Sequence, residues 1–228
     1  MSRALTTRRP HATVKPALRS WIHLGTALGF VGAGTVLIKA AATIGPPAVV
    51  AGITIYVSSV LGLFGVSALY HLKTWNSTVT RTWLRRLDHS MIFLLVAGTY
   101  TPICLLALPP DTARTVLAVV WAGALGGVAL KLSWPNAPRW VGVPLYIALG
   151  WVAVFVLGDL LHTTGPVALS LLLAGGGLYT LGAIFYATRW PDPWPHTFGY
   201  HEFFHTTVSA AAVCHHITIW LVLLTATL

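Results

Sequence analysis

Residues 201–216, HEFFHTTVSAAAVCHH, open with a His-Glu-x-x-His pattern. On a helix, His201 and His205 share one face about 6 Å apart in rise, which suits two imidazoles on one metal ion. Glu202 between them is placed like the general base of a zinc protease. Other residues could join the pair: His71 closes the stretch SALYH, Ser67 precedes it by one turn on the same helical face, and Asp88 stands in RRLDHS. Three imidazoles and an open water position make a recurrent catalytic zinc arrangement, and iron or manganese suits such a set less well.

The elements that must position these residues follow from composition. The chain has 228 residues, 56% hydrophobic and 8% charged, with mean hydropathy +0.75, whereas soluble domains carry about 25% charged residues. It is read as an all-α membrane protein. Apolar runs of spanning length lie at about 21–42, 48–72, 87–108, 113–131, 139–157, 167–188 and 201–226, a seven-transmembrane helix bundle. The breakers GPP, PPD, WPNAP, TTGP and WPDPWPH separate them. A basic tail at 1–20 precedes the membrane domain at 21–228, and no cleavable signal peptide is expected.

The net charge of +9 comes from basic residues scattered in short connections, which report topology and do not form a nucleic-acid surface. Twelve of the 14 basic residues fall on one side, leaving Lys39 and Arg114 for the other. The N-terminus is therefore expected in the cytoplasm and the C-terminus outside. Trp21, Trp75, Trp83, Trp134, Trp140, Trp190 and Trp194 collect on the same side as an interfacial belt. In this arrangement helix 2 ends, and helices 3 and 7 begin, at the cytoplasmic face. His71, an Asp88 in the first turn of its helix, His201 and His205 then meet at one depth.

His215 and His216 lie about 15 Å beyond His205, too far to share its metal, and read as satisfied buried polar residues. His23, His89, His162 and His196 carry no assigned role. Cys104 and Cys214 lack metal or disulfide spacing and read as core residues.

The blocks SALYH, LDHSMIFLLVAGTYTP and HEFFHTTVSAAAVCH, in that order, resemble the hemolysin III family, the bacterial branch of the progestin and adipoQ receptor (PAQR) family, from about residue 15 onward. The resemblance implies seven helices in a bacterial plasma membrane. It also implies a cytoplasmic-side Zn²⁺ held by His71, His201 and His205, with Asp88 positioning water and Ser67 beside the first ligand. Family kinship with alkaline ceramidases implies a metal-dependent hydrolase with a membrane lipid amide as substrate. On this pattern Glu202 is not the base, which sets aside the protease; it is left free to meet lipid headgroups or Arg85 and Arg86. The competing class is a non-enzymatic sensor or lipid-homeostasis protein with structural zinc. Pore formation, which the family name suggests, ranks lower because helices 4 to 6 supply few charged residues.

Overall fold

The computed structural model describes residues 18–226, and no strand occurs among them. The helices are α1 (Leu18–Ile44), α2 (Pro47–Leu72), α3 (Thr78–Ala107), α4 (Pro110–Ser133), α5 (Arg139–Gly150), α6 (Leu157–Thr188) and α7 (Tyr200–Thr225), with a short 3₁₀ stretch, Trp151–Val156, between α5 and α6. Their starts follow proline chemistry. Pro47 and Pro110 each open a helix, where a missing N–H costs nothing, and each follows a proline with extended ψ. Residues 1–17 of the basic tail lie outside the described residues, while Leu18, Arg19 and Ser20 already belong to α1.

One departure from the expected boundaries is α3, which starts nine residues early. The Ser77 hydroxyl accepts a hydrogen bond from the Thr80 N–H at 3.3 Å and caps it. The added turns carry Trp83 with Arg86 stacked over its ring, an interfacial pair that hydropathy alone does not count as helix. Asp88 thus sits nearly three turns inside α3 and not in its first turn, a correction to the sequence expectation.

Among the described residues, six helical segments are long and apolar enough to cross a membrane. One of them, Arg139–Thr188, runs 50 residues without a gap, where the sequence suggests two separate helices. A straight helix of that length would extend about 75 Å. Instead it doubles back. Arg139 Nη1 donates to the Tyr186 carbonyl at 2.7 Å, and Trp151 Nε1 donates to Thr180 Oγ1 at 2.9 Å. The bend is at Gly165, whose φ of 74° and ψ of 172° suit a residue without Cβ, followed by Pro166. A second irregularity, the 3₁₀ stretch, is held by Tyr100 on α3: its hydroxyl donates to the Gly150 carbonyl and accepts from the Ala153 N–H, both at 2.7 Å. The backbone groups freed by the loosened helix are thereby satisfied inside the bundle.

Small residues let the helices approach closely, as membrane packing favours. Ala168, Gly175 and Gly182 repeat every seventh residue along the buried face of α6, and a Cβ at Gly182 would collide with Thr207 on α7. Large apolar side chains instead cover much of the outside, including Leu28, Val79, Trp140 and Phe155, as a lipid-facing surface requires. Gly127 on α4 lies against the ring of Phe93, which is 1% exposed. Gly127→Ala is therefore expected to destabilise the α3–α4 seam by about 1–3 kcal/mol, read as a lower thermal midpoint in detergent.

Candidate metal centre

Two helices bring the histidines together, α2 supplying His71 and α7 supplying His201 and His205. Their ligand nitrogens all lie within 4.8 Å of one another, with ring centroids 5.2, 5.2 and 4.7 Å apart. Four ligands about 2.0–2.1 Å from a tetrahedral ion stand roughly 3.4 Å apart, so modest side-chain rotation closes this set around one ion. The donor chemistry fits as well. His205 Nδ1–H donates to the Arg19 carbonyl at 2.9 Å, which leaves Nε2 as the lone-pair nitrogen. The cluster is a possible three-histidine metal-binding group.

Asp88 is not one of this group. It faces the Ser67 hydroxyl and the His89 ring, and both Asp88 and Ser67 line a cavity that His201 and His205 also border. His89 is held in place, its Nδ1–H donating to the Arg85 carbonyl at 2.8 Å and its Nε2 accepting from the Tyr186 hydroxyl at 3.2 Å. The cavity measures about 140 Å³. Its wall runs along α3 from Asp88 to Leu108, the residue just past the helix end, about 30 Å. The lining is mostly apolar and extends along α3 as a channel from His201 and His205.

Glu202 faces neither lipid headgroups nor Arg85 and Arg86. It is fully buried, receiving a hydrogen bond from Arg19 Nε at 2.8 Å and one from the Gly199 N–H at 2.8 Å. The carboxylate closes the first turn of α7 and ties it to the first turn of α1. Arg85 instead donates to Asn136 Oδ1 at 2.9 Å.

Sequence reasoning missed two residues here. Arg19, counted only for topology, holds Glu202 through its guanidinium and His205 through its carbonyl. His23, given no role, stacks on His205 with centroids 3.6 Å apart and 4° between planes. It is 2% exposed, and neither ring nitrogen has a hydrogen-bond partner. The heptad spacing of buried residues on α1 (20, 23, 30, 34, 37, 41) turns His23 toward the bundle, whereas no such spacing marks Arg19.

Two bacterial relatives are 35% identical: Hemolysin-3 of Bacillus cereus over 151 residues, 66% of this chain and 68% of that one, and a Hemolysin-3 homolog of Bacillus subtilis (strain 168) over 150 residues, 66% and 70%. The Heptahelical transmembrane protein ADIPOR2 of Oryza sativa subsp. japonica is 27% identical over 180 residues, 72% of this chain and 79% of that one. The family model described as Haemolysin-III related matches residues 11–216, which include every residue of the histidine cluster. This multi-pass membrane chain belongs to the hemolysin III family, with more distant relatives among the adipoQ receptors.

Proposed function

We propose that this chain is a zinc-dependent hydrolase of the bacterial plasma membrane, acting on the amide bond of a lipid. The observation that carries the reading is a cluster of three imidazoles, two of which, His201 and His205, line a mostly apolar channel whose wall also holds Asp88 and Ser67. His71, His201 and His205 would hold the ion. A bound zinc ion supplies Lewis acidity, acidifying water and polarising an acyl carbonyl. Asp88 accepts and orients the proton of the attacking water, Ser67 holds the carboxylate in register, and the Arg19 carbonyl keeps His205 in the ligating tautomer. The channel takes the acyl chain and keeps bulk water from it. Zinc determination on purified protein, followed by mass-spectrometric detection of fatty acid released from an N-acyl lipid, tests the reading. Zinc without release would favour the other class, a lipid-responsive protein in which the histidines tie α2 to α7.

The reading includes seven crossings, with α1 starting in the cytoplasm. The doubled-back segment Arg139–Thr188 supplies two of them, turning at Gly165, and a heptahelical relative agrees with that count. An odd number of crossings puts the two ends on opposite sides, and the basic residues assign the inside to the N-terminus. In a background with Cys104 and Cys214 replaced, Asn76→Cys is expected to react with an impermeant thiol reagent only from the cytoplasmic side, and Thr225→Cys only from outside. Labelling of both from one side would reject seven crossings.

A further inference from the structure

The channel has polar groups at a second depth. His215 lies ten residues beyond His205 on α7, about 15 Å deeper, and is 8% exposed. Its Nε2–H donates to the Leu172 carbonyl at 3.1 Å, so Nδ1 carries a lone pair, and that buried nitrogen has no partner. On α6, the Tyr179 hydroxyl is likewise buried and unpartnered. The two rings are 5.4 Å apart between centroids, and both residues line the channel. Gly175 makes the arrangement possible, because a Cβ there would collide with the His215 ring.

The neighbouring histidine shows what full satisfaction looks like. His216 Nδ1–H donates to the Tyr56 hydroxyl at 3.4 Å, and its Nε2 accepts from the Trp220 indole at 3.2 Å. The same turn of α7 thus completes one imidazole and leaves the next with an open acceptor beside an open phenol. Each buried polar group without a partner costs about 1–3 kcal/mol. Two such groups side by side on a channel wall are the signature of a ligand contact.

We infer that His215 and Tyr179 form a subsite for a hydroxyl group carried partway along the chain of the channel's ligand. A hydroxyl matches both partners at once: it donates to the His215 Nδ1 lone pair and accepts from the Tyr179 O–H. A carbonyl would leave Nδ1 empty, and an unsubstituted methylene would leave both groups unpaired. The depth fixes where the hydroxyl belongs. An extended chain advances roughly 1.2 Å per bond, a third of its 3.3–3.6 Å per residue, so 15 Å corresponds to about 12 bonds. The ligand class is a long-chain lipid with its polar head at the three histidines and a mid-chain hydroxyl. This inference rests on the proposal that the channel holds an acyl chain.

Delipidated protein in detergent, titrated with octadecanoate, 12-hydroxyoctadecanoate and 2-hydroxyoctadecanoate, tests it. The 12-hydroxy acid is expected to bind roughly tenfold more tightly than the other two, a gap typical of one or two neutral hydrogen bonds. Because His215 also holds Leu172, its replacement risks the fold, and Tyr179→Phe is the decisive variant: it removes an oxygen with no partner in the protein. That variant is expected to bring the preference for the 12-hydroxy acid down to about two- to threefold, while leaving octadecanoate affinity unchanged. Equal binding of all three acids, as when water alone fills the subsite, overturns the inference but leaves the lipid reading standing. So does an undiminished 12-hydroxy preference in Tyr179→Phe, or an equal preference for the 2-hydroxy acid. Binding of none of the three overturns both readings.

Discussion

Asp88→Asn is expected to lower lipid-amide hydrolysis by about 10²–10⁴-fold, the usual contribution of a positioned acid–base group, with zinc content unchanged. The amide keeps the size of the carboxylate and its contact with Ser67, but it cannot accept a proton. Glu202→Gln separates this from the protease that the His-Glu-x-x-His pattern suggests. Glu202 is engaged with Arg19 and the Gly199 N–H, buried in the seam between α1 and α7, so it has no access to a reacting water. Its replacement is expected to cost about 1–3 kcal/mol of stability, the worth of a hydrogen bond to a charged group, while turnover in the folded fraction changes little. Activity, metal content and thermal midpoint measured on both variants decide between the residues. An active Asp88→Asn beside an inactive, zinc-loaded Glu202→Gln would restore the protease assignment.

The second large effect is on the metal itself. One zinc per chain is expected, and His71→Ala, His201→Ala and His205→Ala should each weaken it by more than the 10–100-fold typical of losing a residue that merely supports a ligand. Arg19 provides the comparison, since its carbonyl supports His205 and no side-chain substitution removes it. Arg19→Met should therefore retain metal while losing the tie to Glu202. Metal binding should also fall on acidification, because protons compete for the imidazole lone pairs that hold the ion. Zinc by elemental analysis across a pH series, on the native chain and the three variants, measures both effects. Full zinc in the triple histidine variant would remove the site.

Hydropathy and charge were enough to read an all-helical, multi-pass membrane chain and the approximate place of its apolar segments, because lipid demands long apolar helices and little else. The three motif blocks were enough for the family. His-x-x-x-His could be placed on one face from sequence because helical periodicity is local, and the break at Gly165-Pro166 was readable for the same reason.

What the sequence could not supply lies in pairings between distant residues. Arg19 and Glu202 are 183 positions apart, and nothing in either neighbourhood distinguishes a topology-setting arginine from one buried against a carboxylate. The start of α3 at Thr78 depended on a serine cap and a Trp–Arg stack, which hydropathy counts as interface. His215 and His216 are adjacent and identical in type, yet one finds two partners and the other leaves a nitrogen open to the channel. That difference is a rotation of about 100° around α7, and only the packing of α6 against it, with Gly175 at the contact, decides which way each ring points. Local sequence determines the helix and the residue types on each face. The tertiary structure decides which polar atoms are satisfied, because partners are chosen across helices, where burial makes an unpaired group costly.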